Sequence, residues 1–201
     1  MTNQRKTHHL AVAAMLTAIA FILQFIEISI PLMPSFVKLD ISDLPALLGT
    51  FSLGPIYGMA IELVKNIIHL PFGYSAGVGE LSNFLLGAVF ALAAGLFYKH
   101  RKSRKNALIG SIVGAVAMAV ICLPINYFLV YPAYVTIFHM PLEDMIGAYQ
   151  EILGSIAQIP TQNALFNCLL VFNVPFTLFK GALDVVICFL IYKPLSPLLH
   201  K

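Results

Sequence analysis

The chain has 201 residues, of which 59% are hydrophobic and 10% charged, and its formal net charge is +3 at pH 7. This composition excludes a soluble globular domain. It predicts an all-α, polytopic membrane protein, surrounded by lipid, that forms one integral-membrane domain over residues 1–201. Basic and acidic residues nearly balance, so no nucleic-acid partner is predicted. The three cysteines are isolated in apolar sequence and predict neither a disulfide nor a metal site.

Five apolar runs follow along the chain, at residues 10–30, 44–72, 80–98, 107–138 and 164–192. By the positive-inside rule, three groups of basic residues face the cytoplasm. These groups are Arg5 and Lys6, then Lys99, Arg101, Lys102, Arg104 and Lys105, then Lys193 and Lys201. An even number of crossings must separate two cytoplasmic points, so we expect the second run to cross twice. The prediction is six transmembrane helices with cytoplasmic N- and C-termini.

Small residues form two pairs at the spacing that lets membrane helices approach closely. Ala14 and Ala18 form one pair in the first run, and Gly110 and Gly114 form the other in the fourth. For each pair the sequence leaves two functions open. The pair either docks a partner or packs against another helix of the same chain.

The second run contains Gly54-Pro55, which predicts a turn between two short helices. Neither helix would cross a bilayer alone, so we expect both to pack against the others. Asp40 and Asp43 precede this run and either cap its first helix or contribute to a site. Glu62 and Lys65, three residues apart, are expected to form a buried pair.

A glycine-rich loop precedes the third run. Gly73, Ser75 and Gly77 match the G-x-S-x-G pattern of serine hydrolases. That pattern requires a strained strand-to-helix turn and a positioned histidine, which this loop does not predict, so we do not expect an enzyme. The chain also lacks a phosphate-binding G-x-x-x-x-G-K-[ST] sequence and cannot hydrolyse ATP by that route. Asn83 follows the loop at the start of the next predicted helix.

The fourth run is too long for one straight span, and Pro124 and Pro132 predict that its outer end breaks or leaves the membrane. Asn126 either serves a pocket or satisfies carbonyls freed by the kink. Residues 139–163 contain acidic but no Lys or Arg residues, as an external segment does, and 142–156 are predicted to form a surface helix. Three tyrosines form either an interfacial belt or a ligand-stacking surface: Tyr127, Tyr131 and Tyr134.

The last run has a polar face. Asn173, Thr177, Lys180 and Asp184 follow at steps of four, three and four residues. A charge near the bilayer centre costs ~2.5–3.5 kcal/mol on insertion scales, so these residues are interpreted as functional. A structural Lys180–Asp184 pair that locks helices together is the alternative. The uncharged Asn173 and Thr177 favour a site for a polar ligand, and Pro175 is predicted to begin the helix.

In this topology four polar stretches lie on the outer side of the membrane and could share one pocket open to the exterior. They comprise residues 38–43, 69–83, 126–134 and 173–180.

Several motifs occur together in a characteristic order: VKLDISDLPALLGTFSLGPIYG, ELVKN, GELSNFLLG, PINYF and PFTLFKG. Together with six predicted spans, they resemble the riboflavin-specific substrate-binding subunits (S components) of energy-coupling-factor (ECF) transporters. The similarity runs through nearly the whole chain. No single motif is decisive, but the order and spacing of the motifs are specific.

The resemblance implies a protein of the bacterial plasma membrane that captures riboflavin with high affinity as a transported substrate, with no cofactor. It also implies association with a transmembrane coupling subunit and two cytoplasmic ATPases. The coupling subunit would dock at Ala14 and Ala18. The residues implied at the vitamin, with Asn173 added from the polar face, are Leu39, Asp40, Asn83, Asn126, Thr177 and Lys180.

Two features differ from the family pattern. Thr177 stands where an asparagine is expected, with Asn173 one turn earlier, and the segment 139–163 is longer than expected. The outer lid and the choice among flavins therefore stay open. Two other classes also stay open: an S component for another vitamin or small molecule, and a six-span intramembrane hydrolase or autonomous channel.

Overall fold

The computed structural model describes residues 3–100, 102–154 and 156–199, and within these ranges the side chains of residues 4–191. Arg101 and Lys201, which the topology prediction used, lie outside the described residues. The described chain is mostly helical. Four helical stretches are long and apolar enough to cross a membrane: Gln4–Gln24, Val78–His100, Arg104–Thr136 and Ala164–Ile191.

The elements follow in chain order as α1 (Asn3–Gln24), β1 (Ile28–Ser29), β2 (Lys38–Leu39), α2 (Asp43–Leu53), α3 (Pro55–His69), α4 (Val78–His100), α5 (Arg104–Ile125), α6 (Tyr131–Thr136), α7 (Leu142–Leu153), α8 (Ala164–Cys168) and α9 (Val174–Leu199). The antiparallel β1–β2 ladder pairs Ile28 with Leu39. It departs from the all-α prediction, because strands of two residues are too short to give a sequence pattern.

The second apolar run folds as predicted into two short helices. Gly54 separates α2 from α3 with φ of 113°, a conformation that favours glycine, and Pro55 begins α3. At 1.5 Å per residue, α2 is about 16 Å long, so it cannot cross a bilayer alone. It packs instead against α1, α3, α4 and α9. The predicted buried pair is confirmed, with Lys65 Nζ 2.7 Å from Glu62 Oε2.

The glycine pair of the fourth run serves packing within the chain. A Cβ atom at Gly114 would lie 2.8 Å from the carbonyl oxygen of Phe90, and one at Gly110 would lie 2.8 Å from that of Ala94. The backbones of α4 and α5 therefore approach at a distance that excludes a side chain. Among the described residues, α4 and α5 form the most extensive contact between two helices.

Two π-helical turns lie just before prolines. Residues Asn126–Val130 join α5 to α6, and Leu169–Asn173 join α8 to α9. Each turn ends two residues before a proline, Pro132 or Pro175. A proline lacks an N–H group and crowds the carbonyl four residues earlier, and the wider turn accommodates both effects. The helical path therefore continues through Pro124 and Pro132, where the sequence predicts a break. Pro175 is the second residue of α9, the first-turn position predicted for it.

The segment 139–163 contains the predicted helix. This helix is α7 (Leu142–Leu153), which is three residues shorter than predicted and ends at Gly154 with φ of 55°. One face of α7 is buried through Met145 and Tyr149. These two side chains belong to an apolar cluster together with Val130, Tyr131 and Leu169 among others.

Candidate functional site

A cavity of about 370 Å³ lies at the end of the bundle where the four predicted polar stretches meet. Its volume is within the ~300–1,000 Å³ of small-molecule sites. The polar stretches do share one pocket, as predicted. Six of the predicted site residues line it: Asp40, Asn83, Asn126, Asn173, Thr177 and Lys180.

Leu39 is the predicted site residue that the structure does not place on the cavity wall. It lies in β2 and is 7% exposed, whereas its neighbours Lys38 and Asp40 both line the cavity. Side chains alternate between the two faces of a strand, so Leu39 is directed away from its neighbours.

Lys180 joins α9 to the segment that precedes α2. Its Nζ atom lies 3.1 Å from Asp40 Oδ2 and 3.0 Å from Asp43 Oδ2. Asp43 also accepts a hydrogen bond from Lys65 Nζ at 2.6 Å, so one carboxylate connects two lysines. The cap alternative for Asp43 is wrong: Ser42 occupies the N-cap position, and Asp43, the first residue of α2, forms two ion pairs.

The alternative of a Lys180–Asp184 pair is not what the structure shows. Lys180 pairs with Asp40 and Asp43 instead, and the fully buried Asp184 has no hydrogen-bond partner on either carboxylate oxygen. The polar face of α9 is therefore directed toward the cavity and the 38–43 segment.

Asn126 lies at the cavity, but the carbonyl that its side chain reaches is not one freed by a proline, because the backbone N–H of Asn126 donates to it as well. Its Nδ2 atom donates to the carbonyl oxygen of Cys122 at 2.8 Å, and the residue also lines the cavity. The Cys122 sulfur accepts further hydrogen bonds from Asn126 Nδ2 at 3.0 Å and Thr177 Oγ1 at 3.1 Å. This buried free thiol thus connects two cavity residues on different helices, a function that no sequence motif indicates.

The tyrosines of the fourth run lie in two different places. Tyr131 and Tyr134 are buried and line the cavity, whereas Tyr127 lies in a separate apolar groove with Phe128 and Phe166. Tyr131 also takes part in a polar contact that joins α7 to the cavity. Tyr149 Oη donates to Asn173 Oδ1 at 2.6 Å, and the two tyrosine hydroxyls are hydrogen bonded to each other.

The G-x-S-x-G segment does not form a nucleophile site. Ser75 Oγ accepts from the backbone N–H of Gly79 at 2.8 Å and donates to Glu80 Oε2 at 3.4 Å. The other carboxylate oxygen of Glu80 lies 2.9 Å from His69 Nδ1. An activated serine needs the histidine as its direct partner, and here the carboxylate stands between them. The side chains of His69, Ser75 and Glu80 all line the cavity.

Sequence reasoning missed several other cavity residues. Gln24, at the end of α1, could have been found as a polar residue closing an apolar run. The aromatic and apolar residues carry no such signal, because apolar side chains are expected throughout a membrane protein. They are Phe36, Tyr74, Met118, Phe138 and Phe176.

Comparison with known proteins agrees with this geometry. The family model described as "ECF transporter, substrate-specific component" matches residues 8–192. The riboflavin transporter RibU of Staphylococcus aureus (strain TCH60) is 34% identical over 199 residues, which are 99% of this chain and 96% of the relative. The riboflavin transporter FmnP of Bacillus subtilis (strain 168) is 30% identical, covering 98% of this chain and 96% of the relative.

A solved structure of the S component of a bacterial ECF transporter is also similar. It superposes with a TM-score of 0.74 at 32% sequence identity, covering 98% of this chain and 99% of that one. The match of the family model over nearly the whole chain, together with these relatives, gives the assignment. The chain belongs to the substrate-specific components of ECF transporters.

Proposed function

We propose that this chain is a riboflavin-binding S component, which captures the vitamin with high affinity in the cavity described above. As a transporter component it is not an enzyme. The observation that carries the proposal is the convergence of Asp40, Asn83, Asn126, Asn173, Thr177 and Lys180 on one cavity. Relatives at 34% and 30% identity are named riboflavin transporters.

The chemistry of the cavity fits riboflavin. The vitamin has a flat ring system with one apolar and one polar edge, and its ribityl chain carries hydroxyl groups. Phe36 and Phe176 provide apolar surface, while Thr177 and Lys180 provide hydrogen-bonding groups. Asn83 adds an independent sign of a ligand. Its Oδ1 atom is buried without a hydrogen-bond partner, as expected of an acceptor that a ligand N–H or O–H group satisfies.

The proposed topology has six crossings, cytoplasmic termini and a cavity open to the outside. The positions of the basic residues support it. Lys99 lies near the end of α4, 16 residues or about 24 Å from Asn83, and the cavity is at the opposite end of that helix. In α1 likewise, Arg5 lies near the first residue and Gln24 at the cavity. The positive-inside rule then puts the cavity outside.

The surface of α1 supports docking of a coupling subunit. Ala14 and Ala18 are both exposed, so they are not used for packing within the described chain. Large apolar side chains flank them, with Leu10 68% and Met15 56% exposed. A small-residue face of this kind lets a partner helix approach closely. We propose that a transmembrane coupling subunit binds here, and that two cytoplasmic ATPases supply energy.

We further propose that residues 1–201 act as a single domain in the bacterial plasma membrane, with riboflavin as substrate and no cofactor. The test uses bacterial cells that can neither make nor import riboflavin, which express this chain with an ECF module. Growth on low external riboflavin, dependent on both the chain and the module, is expected. No growth on low external riboflavin, although the chain and the module are both expressed, would contradict the proposal and favour an S component of other specificity.

A further inference from the structure

Three side chains close a hydrogen-bond cycle between α7 and the cavity wall. Asn173 Nδ2 donates to Tyr131 Oη at 3.2 Å, and Tyr149 Oη donates to Asn173 Oδ1 at 2.6 Å. The two tyrosine hydroxyls are hydrogen bonded to each other. Each hydroxyl has one proton, and that of Tyr149 points to Asn173, so Tyr131 donates to Tyr149. Each of the three side chains then donates one hydrogen bond to the next side chain around the cycle.

The members of this cycle differ in their relation to the cavity. Asn173 and Tyr131 line it, whereas Tyr149 does not. Tyr149 is fully buried behind them, and burial raises the pKa of its phenol, so its hydroxyl stays protonated at neutral pH. It therefore contacts the Asn173 amide as a donor from the side away from the cavity.

The cycle holds the amide in position. The Asn173 side chain is bonded at two points, through Nδ2 to Tyr131 and through Oδ1 to Tyr149. Because both hydroxyls can rotate, the cycle stays closed in either direction, so these contacts fix where the amide lies. In the observed orientation Asn173 keeps one N–H and one lone pair free of the cycle.

We propose that Tyr149 is a positioning residue, which holds the Asn173 amide in place against the transported molecule. The same bonds tie α7 to the outer end of the cavity and give the long external segment a function. The inference rests on the proposed function, in which Asn173 contacts riboflavin.

The test begins with Tyr149→Phe, which removes the hydroxyl and keeps the ring that packs against Phe36 and Phe172. The matched control is Tyr127→Phe, which removes a hydroxyl outside the cavity. Riboflavin affinity is measured by titration of purified protein, beside the melting temperature without ligand. Tyr149→Phe should weaken binding about fivefold to 150-fold, the size expected when a buried polar group loses a partner. Unchanged affinity in the folded variant would overturn the proposal.

A double-mutant cycle separates positioning from a general structural role. Asn173→Ala is measured alone and combined with Tyr149→Phe. If Tyr149 acts through Asn173, its substitution has no further effect on affinity once the amide is gone. Fully additive losses would show that Tyr149 acts by another route and would overturn the proposal.

Hydrogen exchange without ligand tests the tie to α7 independently. Amides of residues 142–153 should exchange faster in Tyr149→Phe and in Asn173→Ala, but not in Tyr127→Phe. Equal exchange in all variants would overturn the tie. If the wild-type protein failed to bind riboflavin, the proposed function would fail, and the exchange data would still decide whether Tyr149 holds Asn173.

Discussion

Replacing Lys180 with methionine should weaken riboflavin binding and loosen the segment before α2. Methionine keeps a long apolar side chain, so the helix should still insert into the membrane. It removes an ammonium group that lies 3.1 Å from Asp40 and 3.0 Å from Asp43. Two of the three lysine N–H groups serve these carboxylates, which leaves one for a ligand.

The remaining contacts set the magnitude. In the variant, Asp43 still accepts a hydrogen bond from Lys65, and Asp40 still accepts one from the backbone N–H of Ser42 at 2.8 Å. Each carboxylate therefore retains a hydrogen-bond donor. We therefore expect a loss of stability of ~1–3 kcal/mol, below the ~3–5 kcal/mol of a fully broken buried ion pair. Loss of the ligand contact should cost a similar ~1–3 kcal/mol, which is about five- to 150-fold in affinity.

Calorimetric titration with riboflavin and thermal melting measure the two effects separately. Lys180→Met combined with Asp40→Asn should recover part of the stability, because it removes a carboxylate that lost its lysine, while the affinity stays low. Lys105→Met, at the other end of the bundle, serves as a control and should change neither quantity. A folded Lys180→Met protein with wild-type affinity would show that Lys180 does not contact riboflavin and has a structural role only.

Three further predictions concern docking, topology and packing. Ala14→Leu should abolish both co-purification with the coupling subunit and riboflavin uptake, but it should leave riboflavin affinity unchanged. The control Ala182→Leu, at an exposed position of α9, should leave co-purification and uptake intact. Loss of affinity in Ala14→Leu would point to a role in packing. In a background without native cysteines, a cysteine at the exposed Ser35 should react with an impermeant reagent from outside and one at Ser103 should not, and the reverse pattern would invert the topology. Gly114→Ala should lower stability by ~1–3 kcal/mol because its Cβ atom meets the Phe90 carbonyl, and an unchanged melting temperature would show that α4 and α5 can separate at little cost.

Features set by local chemistry could be predicted from the sequence. Gly54-Pro55 predicted the turn between α2 and α3, and the spacing of Glu62 and Lys65 predicted their buried pair. The polar face of α9 predicted residues that line the cavity. Each depends on residues close together in the chain, where backbone preference or helical spacing decides the outcome.

Features that depend on contacts between distant segments could not be predicted. The partner of Lys180 proved to be Asp40, 140 residues away, rather than Asp184 one turn along the helix. The π-helical turns arise because packed helices continue through Pro132 and Pro175, where isolated ones would break. The role of Tyr149 could not be predicted either, because its hydrogen-bond partners Tyr131 and Asn173 lie on other helices.

The most direct test of the central claim is a fluorescence titration of the purified wild-type chain with riboflavin. Flavin fluorescence reports binding when the ring enters a protein cavity. We expect saturable binding of one riboflavin per chain, weakened in Asn83→Leu, which removes the acceptor that has no partner among the described residues. A folded wild-type protein that does not bind riboflavin would show that the cavity is not a riboflavin site.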